Sequence, residues 1–323
     1  IASDLRDISE YGRSGYLNVA VTGGAGLVGR SLCPYLEAAG HRVRRLVRKK
    51  PHLGTDEFFW SPEKGEIDPA AIDGADAVVH LAGESIAAGR WNARRKRSIL
   101  ESRTKGTSVL AKTLASMEHP PRVLVCASAT GFYGDRGDQI LDEDSPGGTG
   151  FLAEVCSRWE NACEPARKAG IRVVNLRTGL VLTPAGGALR LMLPSFRLGL
   201  GGPLGHGGQY FGWIAADDLI RAILHLMVRD DLSGPVIAAS PVAVTSERFS
   251  RTLAALLKRP AFMRVPSAIL RAALGEMADE LLLSSQRVTP SKLLRSGFRF
   301  RYPGLEAALA HLTGLSRETG LIE

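Results

Sequence analysis

Val19-Ala20-Val21-Thr22-Gly23-Gly24-Ala25-Gly26-Leu27-Val28-Gly29 decides how this chain folds. It reads as a buried strand, a glycine-rich turn and the start of a helix. Gly23, Gly26 and Gly29 stand three apart. The first lets the chain turn sharply after a strand, the second has no side chain to block a phosphate, and the third lets the helix lie close on the sheet. Backbone N–H groups at that helix start then face a pyrophosphate, aided by the helix dipole. With 36 glycines among 323 residues, the spacing alone carries little weight. The context supplies the rest. An apolar strand precedes the turn, an amphipathic helix with Leu27, Val28, Leu32 and Leu36 follows, and a second strand comes at the expected distance. The plainer alternative is an ordinary tight strand-to-helix turn.

That second strand runs from Arg42 to Val47. A fold that prefers NAD places Asp or Glu at the end of this strand, on the ribose hydroxyls. Here the chain continues Arg48-Lys49-Lys50. Three cations in place of a carboxylate favour the 2′-phosphate of NADP, with Arg48 the residue suited to a planar bidentate contact. A solvated basic loop is the alternative.

Further out, Phe58-Phe59-Trp60 reads as a third strand, and Asp76 to Gly83 as a fourth that ends in Leu81-Ala82-Gly83. Small residues at a strand's C-terminal end let a cofactor approach the backbone. His80 reads as packed in the sheet rather than catalytic. Residues 93–117 form a long helix whose basic start, Arg94 to Arg97, reads as a solvated face. Arg122 to Ala127 is the fifth strand and leads into Ser128-Ala129-Thr130-Gly131-Phe132-Tyr133-Gly134. A single helix is expected over 151–169 and a sixth strand over Ile171 to Leu176. This alternation predicts an α/β fold, a Rossmann doubly wound parallel sheet. After it, the glycine-rich stretch 186–212 reads as a mobile or backbone-exposing loop beside a short helix, Leu189 to Arg197. Asp217 and Asp218 are expected to cap a helix from Leu219 to Val228. Thr245 opens a helix with Phe249, Leu253, Leu256 and Leu257 on one face.

A hydrophobic fraction of 45% and a charged fraction of 23% are those of a soluble globular protein. The net charge of +8 raises nucleic acid as a partner, but the cations are scattered and aromatics make up only 6%. Phosphorylated small molecules explain the balance equally well, and no nucleic-acid partner is expected. Cys33, Cys126, Cys156 and Cys163 form no Cys-x-x-Cys pair. That pattern points to a reducing, cytoplasmic compartment without disulfide or metal site. No apolar run approaches the roughly 20 residues that span a bilayer, so no membrane partner is expected. The chain starts at Ile1, and the polar residues 1–16 read as a linker from an upstream domain.

Thr22 to Gly29, His80-Leu81-Ala82-Gly83 and Phe132-Tyr133-Gly134 resemble the extended short-chain dehydrogenase/reductase superfamily, which includes nucleotide-sugar epimerases. Longer strings resemble one atypical branch, the bacterial epimerase-family proteins also called SulA-like or YfcH-like. They are Leu81-Ala82-Gly83-Glu84 with Arg90-Trp91, Asp142 to Pro146, Leu193 to Pro203, Gly275 to Ala278 and Phe298 to Pro303. The resemblance covers about residues 17 to 312. It implies an NADP-binding Rossmann domain over 17–185, with 209–240 returning to it, and a substrate lobe from 186–208 and 241–323. It also implies cofactor contacts from Thr22, Gly23, Gly26, Leu27, Val28, Gly29, Arg48, Leu81, Ala82, Gly83 and Ser128, and allows an extra N-terminal domain and a homodimer.

The chain departs from the superfamily where chemistry is done. Its members use a Tyr general acid/base and a Lys four residues later. Matching Glu160 to the Glu that follows that pair puts Leu152 and Cys156 in those places. Other candidates for catalysis are Ser128 and Thr130 at the strand end, Tyr133 as an acid, and Glu84 as a base if burial raised its pKa. Glu154 lies one turn from the missing Lys. Arg177 and Arg197 could hold the diphosphate or carboxylate of a small anionic substrate. Two functions stay open: an NADP-dependent epimerase-like or oxidoreductase-like enzyme, and a non-catalytic NADPH-binding sensor or scaffold.

Overall fold

The computed structural model describes residues 15–315, so the expected linker over 1–16 falls almost wholly outside it. The chain runs β1 (Asn18–Thr22), α1 (Gly29–Ala38), β2 (Arg42–Val47), β3 (Glu57–Ser61), β4 (Glu66–Ile67), β5 (Ala77–His80), α2 (Ala93–Ala115) and β6 (Val123–Ala129). It continues with β7 (Ile140–Leu141), α3 (Phe151–Asn161), α4 (Glu164–Lys168), β8 (Arg172–Thr178), β9 (Leu180–Leu182) and α5 (Gly187–Arg197). Then come β10 (Tyr210–Phe211), β11 (Trp213–Ala215), α6 (Ala216–Val228), β12 (Gly234–Ala238), β13 (Val244–Thr245) and α7 (Ser246–Leu256). The C-terminal part holds α8 (Ser267–Leu274), α9 (Glu276–Ala278), β14 (Arg287–Val288), α10 (Ser291–Arg295) and α11 (Leu305–Leu312).

Eight strands form one sheet in the order β12-β8-β6-β5-β1-β2-β3-β4. The central pairs, β1 with β2, β1 with β5, β2 with β3 and β5 with β6, are parallel. Val19, Ala20, Val21, Val78 and Val79 are wholly buried, which is why these strands read as continuous apolar runs rather than alternating ones. In register, Thr22 pairs with His80 and with Leu46, so the C-terminal ends of β1, β2 and β5 share one edge of the sheet. Trp60, Leu110, Leu114, Leu124, Trp159 and Val173 fill the core on one of its faces. The expected single helix over 151–169 is two helices, because Pro165 has no N–H to continue the ladder and sits in the first turn of α4.

The chain divides into two compact units. The first holds the described residues up to Phe132, with Phe151–Arg177 and Ile220–Val236. The second holds Tyr133–Gly150, Thr178–Leu219 and the described residues from Ile237 onward. The crossover therefore falls at Arg177, not at 185, and residues 209–219 stay in the second unit. The second unit has its own core, with Leu189, Leu193, Phe196, Trp213, Phe249, Leu253 and Leu309 packed together. Several glycines of the 186–212 stretch serve close packing, while Gly187 and Gly208 are exposed. A Cβ on Gly201 would strike the ring of Phe196, and one on Gly202 would strike the backbone of Met263.

Asp217 and Asp218 lie inside α6 and do not cap it. Asp218 is wholly buried and accepts from the N–H groups of Arg301 at 2.7 Å and Tyr302 at 2.9 Å. Asp217 stands 3.6 Å from the ring of His311 at the surface. Asp218→Ala is expected to lower the unfolding free energy by about 3 kcal/mol, since two buried donors lose a charged acceptor. Asp217→Ala should cost under about 1 kcal/mol. Urea unfolding of both variants checks the difference.

Candidate functional site

Gly23 sits at φ +73°, and a Cβ there would lie 2.7 Å from the carbonyl carbon of Leu81 and 2.8 Å from the nitrogen of Ala82. Only glycine allows both the positive φ and this approach of the turn to the end of β5. A Cβ on Gly29 would run into the carbonyl oxygen of Gly23 and the backbone of Gly24. The Gly26 N–H donates to the Gly23 carbonyl at 2.9 Å and closes the turn. α1 has no side-chain cap and no acidic residue in its first turn. Among the described residues, the N–H groups of Leu27 and Val28 meet no acceptor. A helix start with free donors and the positive end of its dipole is a site for an anion.

The wall behind the turn is a buried polar chain. Thr22 Oγ1 accepts from the Ala82 N–H at 3.3 Å and lies 2.6 Å from His80 Nδ1, while His80 Nε2 lies 3.0 Å from Thr107 Oγ1. Burial pulls the His80 ring down to about 4, so it is neutral at pH 7. His80 is the packed strut the sequence suggests. The Thr22 hydroxyl, expected on the cofactor, is turned inward and positions Ala82 instead.

β2 ends at the same sheet edge. Arg42 pairs with Asp56 at 2.8 Å, Arg45 with Glu37 at 2.5 Å, and Arg44 donates to the Ala70 carbonyl. Arg48 is exposed and has no ion pair among the described residues. Of the four arginines it alone is uncommitted.

At the end of β6, the Ser128 hydroxyl donates to Glu160 Oε1 at 2.7 Å. Arg177 holds the same carboxylate with two parallel bonds, Nε to Oε1 at 2.8 Å and an Nη to Oε2 at 2.9 Å. Its guanidinium lies 3.5 Å from the centre of the Phe132 ring. All three polar groups are buried. Arg177 is thus corrected from a substrate clamp to a positioning residue, because its planar fork is filled by Glu160. Glu160 itself went unnoticed as a site residue, although its signal was present. Leu152, Val155, Cys156, Trp159 and Glu160 follow helical spacing, so a carboxylate stands on the apolar face of α3.

Other candidates move as well. Glu84 is corrected as a base. The hydroxyl of Ser98 and then the Arg95 guanidinium, at 2.6 Å, hold its carboxyl below the usual range rather than above it. Tyr133 is fully buried and donates its hydroxyl to the Asp142 carbonyl at 2.8 Å, which removes it as an acid. Glu154 pairs with Arg158 at the surface. Thr130 is buried, and its hydroxyl has no partner among the described residues. Arg197 is exposed at the end of α5, in the second unit, also without a described partner. The four cysteines are buried and free, and no metal-binding cluster occurs among the described residues. No described helix is long and apolar enough to cross a membrane.

Residues 19–237 match the NAD dependent epimerase/dehydratase family, and residues 265–312 match a domain of unknown function, DUF1731. An epimerase family protein of Mycobacterium bovis is 44% identical over 295 residues, which is 91% of this chain and 97% of that protein. The crystal structure of human epimerase family protein SDR39U1 (isoform 2) with NADPH superposes at a TM-score of 0.85 and 34% identity, over 92% of this chain and 99% of that one. The nucleoside-diphosphate sugar epimerase from Corynebacterium glutamicum gives 0.82 at 38% identity, over 97% of this chain and 62% of that one.

Two outcomes test this geometry. Glu160→Ala removes the carboxylate that holds the buried Arg177 cation, and is expected to cost about 3–5 kcal/mol of stability. Replacing both partners by Met and Leu should cost less than either single change, as thermal unfolding would show. The His80 ring is lowered from 6.5 to about 4 on folding, so the unfolded chain binds the extra proton first. Its contribution is whole above about 6.5 and is lost as the pH falls towards about 4, by up to about 3 kcal/mol. Urea unfolding across that range should show the slope, and His80→Gln should flatten it.

Proposed function

The chain belongs to the NAD dependent epimerase/dehydratase family, and from that premise we propose that it binds NADP(H) and acts on a nucleotide-sugar or other small anionic substrate. One observation carries the reading. The turn that side-chain-free positions 23 and 29 let close onto the end of β5 and the start of α1 lies on the same sheet edge as the uncommitted Arg48. The free N–H groups of Leu27 and Val28 would hold the pyrophosphate. Arg48 would read the 2′-phosphate, and the backbone from Leu81 to Gly83 would line the opposite side. When bound, NADP(H) supplies hydride exchange. The NADPH in the human relative's crystal structure supports the choice of cofactor. The strings from Leu193 to Pro203 and Phe298 to Pro303 further support the SulA-like or YfcH-like branch.

The proton chemistry is the atypical part of the proposal. Leu152 and Cys156 occupy the places of the usual Tyr and Lys. Burial pushes the Cys156 thiol up to about 11, so it stays protonated at neutral pH. Ser128 and Thr130 then remain as the polar groups at the end of β6. Ser128 gives its one proton to Glu160 and is left to accept, and the Thr130 hydroxyl is uncommitted. Ser128 would accept from a substrate hydroxyl and Thr130 would donate to a substrate oxygen, neither acting as a strong acid. A second reading, a non-catalytic NADPH-binding sensor or scaffold, is favoured by one fact: Tyr133, Glu84 and Cys156 are all unsuited to proton transfer near pH 7.

Titration with NADPH is expected to give a dissociation constant well below about 1 mM. Failure to reach that would overturn the cofactor reading. Arg48→Asp should weaken NADPH about tenfold or more and leave NADH nearly unchanged, since only NADPH carries the 2′-phosphate. Equal loss of both would remove Arg48 as the reader. Product analysis with nucleotide-sugars, which detects an epimerisation that leaves the cofactor level unchanged, together with NADPH oxidation by keto compounds and quinones, separates enzyme from sensor.

A further inference from the structure

Arg103 lies on α2 in the run Ser102-Arg103-Thr104, which gives no sign of function in the sequence. In the structure it is a partly buried cation in no ion pair among the described residues; the Glu84 carboxylate, already held by Ser98 and Arg95, acts on it only through space. One Nη donates to the Ile99 carbonyl at 3.1 Å, and the guanidinium carbon stands 5.0 Å from the centre of the Trp159 ring. Its remaining N–H donors meet no partner among the described residues. The same carbon lies 3.4 Å from where a Cβ on Gly83 would be, so the guanidinium covers the residue that ends the Leu81-Ala82-Gly83 wall. On its other side, its charge reaches the thiol of Cys156. Arginine does not shed its proton, so a guanidinium held partly away from water with N–H donors to spare favours an anion or a strong acceptor beside it.

Its place along the sheet edge says which acceptor. The strands run β6-β5-β1-β2, about 4.8 Å apart. Arg48 follows β2 at one end, the glycine turn follows β1 in the middle, and Gly83 follows β5. Ser128 lies in β6 near its end, and the Cys156 sulfur lies 3.9 Å from where a Cβ on Gly131, just past that end, would be. A dinucleotide with its 2′-phosphate on Arg48 and its pyrophosphate on the turn would bring its far half to Gly83, Arg103 and Cys156.

We propose that Arg103 holds the nicotinamide mononucleotide half of the bound cofactor, donating from its free N–H edge to the oxygens of that half. It supplies from α2 the cation that Cys156 leaves missing on α3. This inference rests on the NADP(H) reading, and the test separates the two. Binding of NADPH and of adenosine 2′,5′-bisphosphate, which carries only the Arg48 half, is measured calorimetrically for the full chain and for Arg103→Met and Arg103→Lys. The expected result for Arg103→Met is a loss for NADPH on the order of tenfold or more, as for a hydrogen bond from a charged donor. Its affinity for adenosine 2′,5′-bisphosphate should change by less than about twofold, and its thermal midpoint without ligand should change little, because no ion pair is lost. Arg103→Lys, which keeps the charge, should lose less for NADPH and gives the same comparison if the Met variant folds poorly. Unchanged NADPH affinity in both variants, or a parallel loss for both ligands, would overturn the assignment. Wild-type protein that binds neither ligand would overturn the NADP(H) reading and this inference with it.

Discussion

The approach of the Gly23 backbone to the Leu81–Ala82 peptide is the constraint on which the site depends. Two parallel strands can lie side by side with any loops above them. They make a cradle only if the turn after β1 folds down onto the end of β5. That requires a positive φ and no side chain at Gly23, and no side chain at Gly29, where α1 meets the turn. The buried chain from Ala82 through Thr22 and His80 to Thr107 then fixes β1, β5 and α2 to one another. A neutral imidazole suits this role, because it donates at one nitrogen and accepts at the other.

Charge in the first unit follows a single logic. Cations with structural duties are paired: Arg42 with Asp56, Arg45 with Glu37, Arg95 with Glu84, and Arg177 with Glu160. The Arg177 pair is worth little as net stability, since desolvating both partners offsets much of their attraction. Its value lies in specificity, for the same carboxylate accepts from Ser128 and orients that hydroxyl. Arg48 and Arg103 form no ion pair among the described residues, and both lie near the end of the sheet where the cradle opens.

Much of this was legible in the residues. The glycine spacing, the apolar runs and the missing carboxylate after β2 are local features, and local features set strand, turn and helix. The parallel sheet follows from their alternation. His80 as a packed residue was legible too, because an imidazole inside an apolar strand run has few other uses. The partners of charged side chains were not. Glu84 looked able to become a base and Arg177 able to clamp an anion, because nothing near them in the chain cancels their charge. Arg95 and Ser98 stand 11 and 14 residues from Glu84, on a different element. Glu160 is 17 residues from Arg177, on a different element.

By itself, then, the sequence determined the elements and the phosphate-binding turn, because a backbone that must reach φ +73° without a side chain leaves its mark as glycine at a fixed spacing. Pairing of titratable groups was decided by the tertiary structure alone. Whether a carboxylate is a base, a strut or an ion-pair partner depends on what lies within about 4 Å of it and on how much water is excluded, and neither quantity is written along the chain.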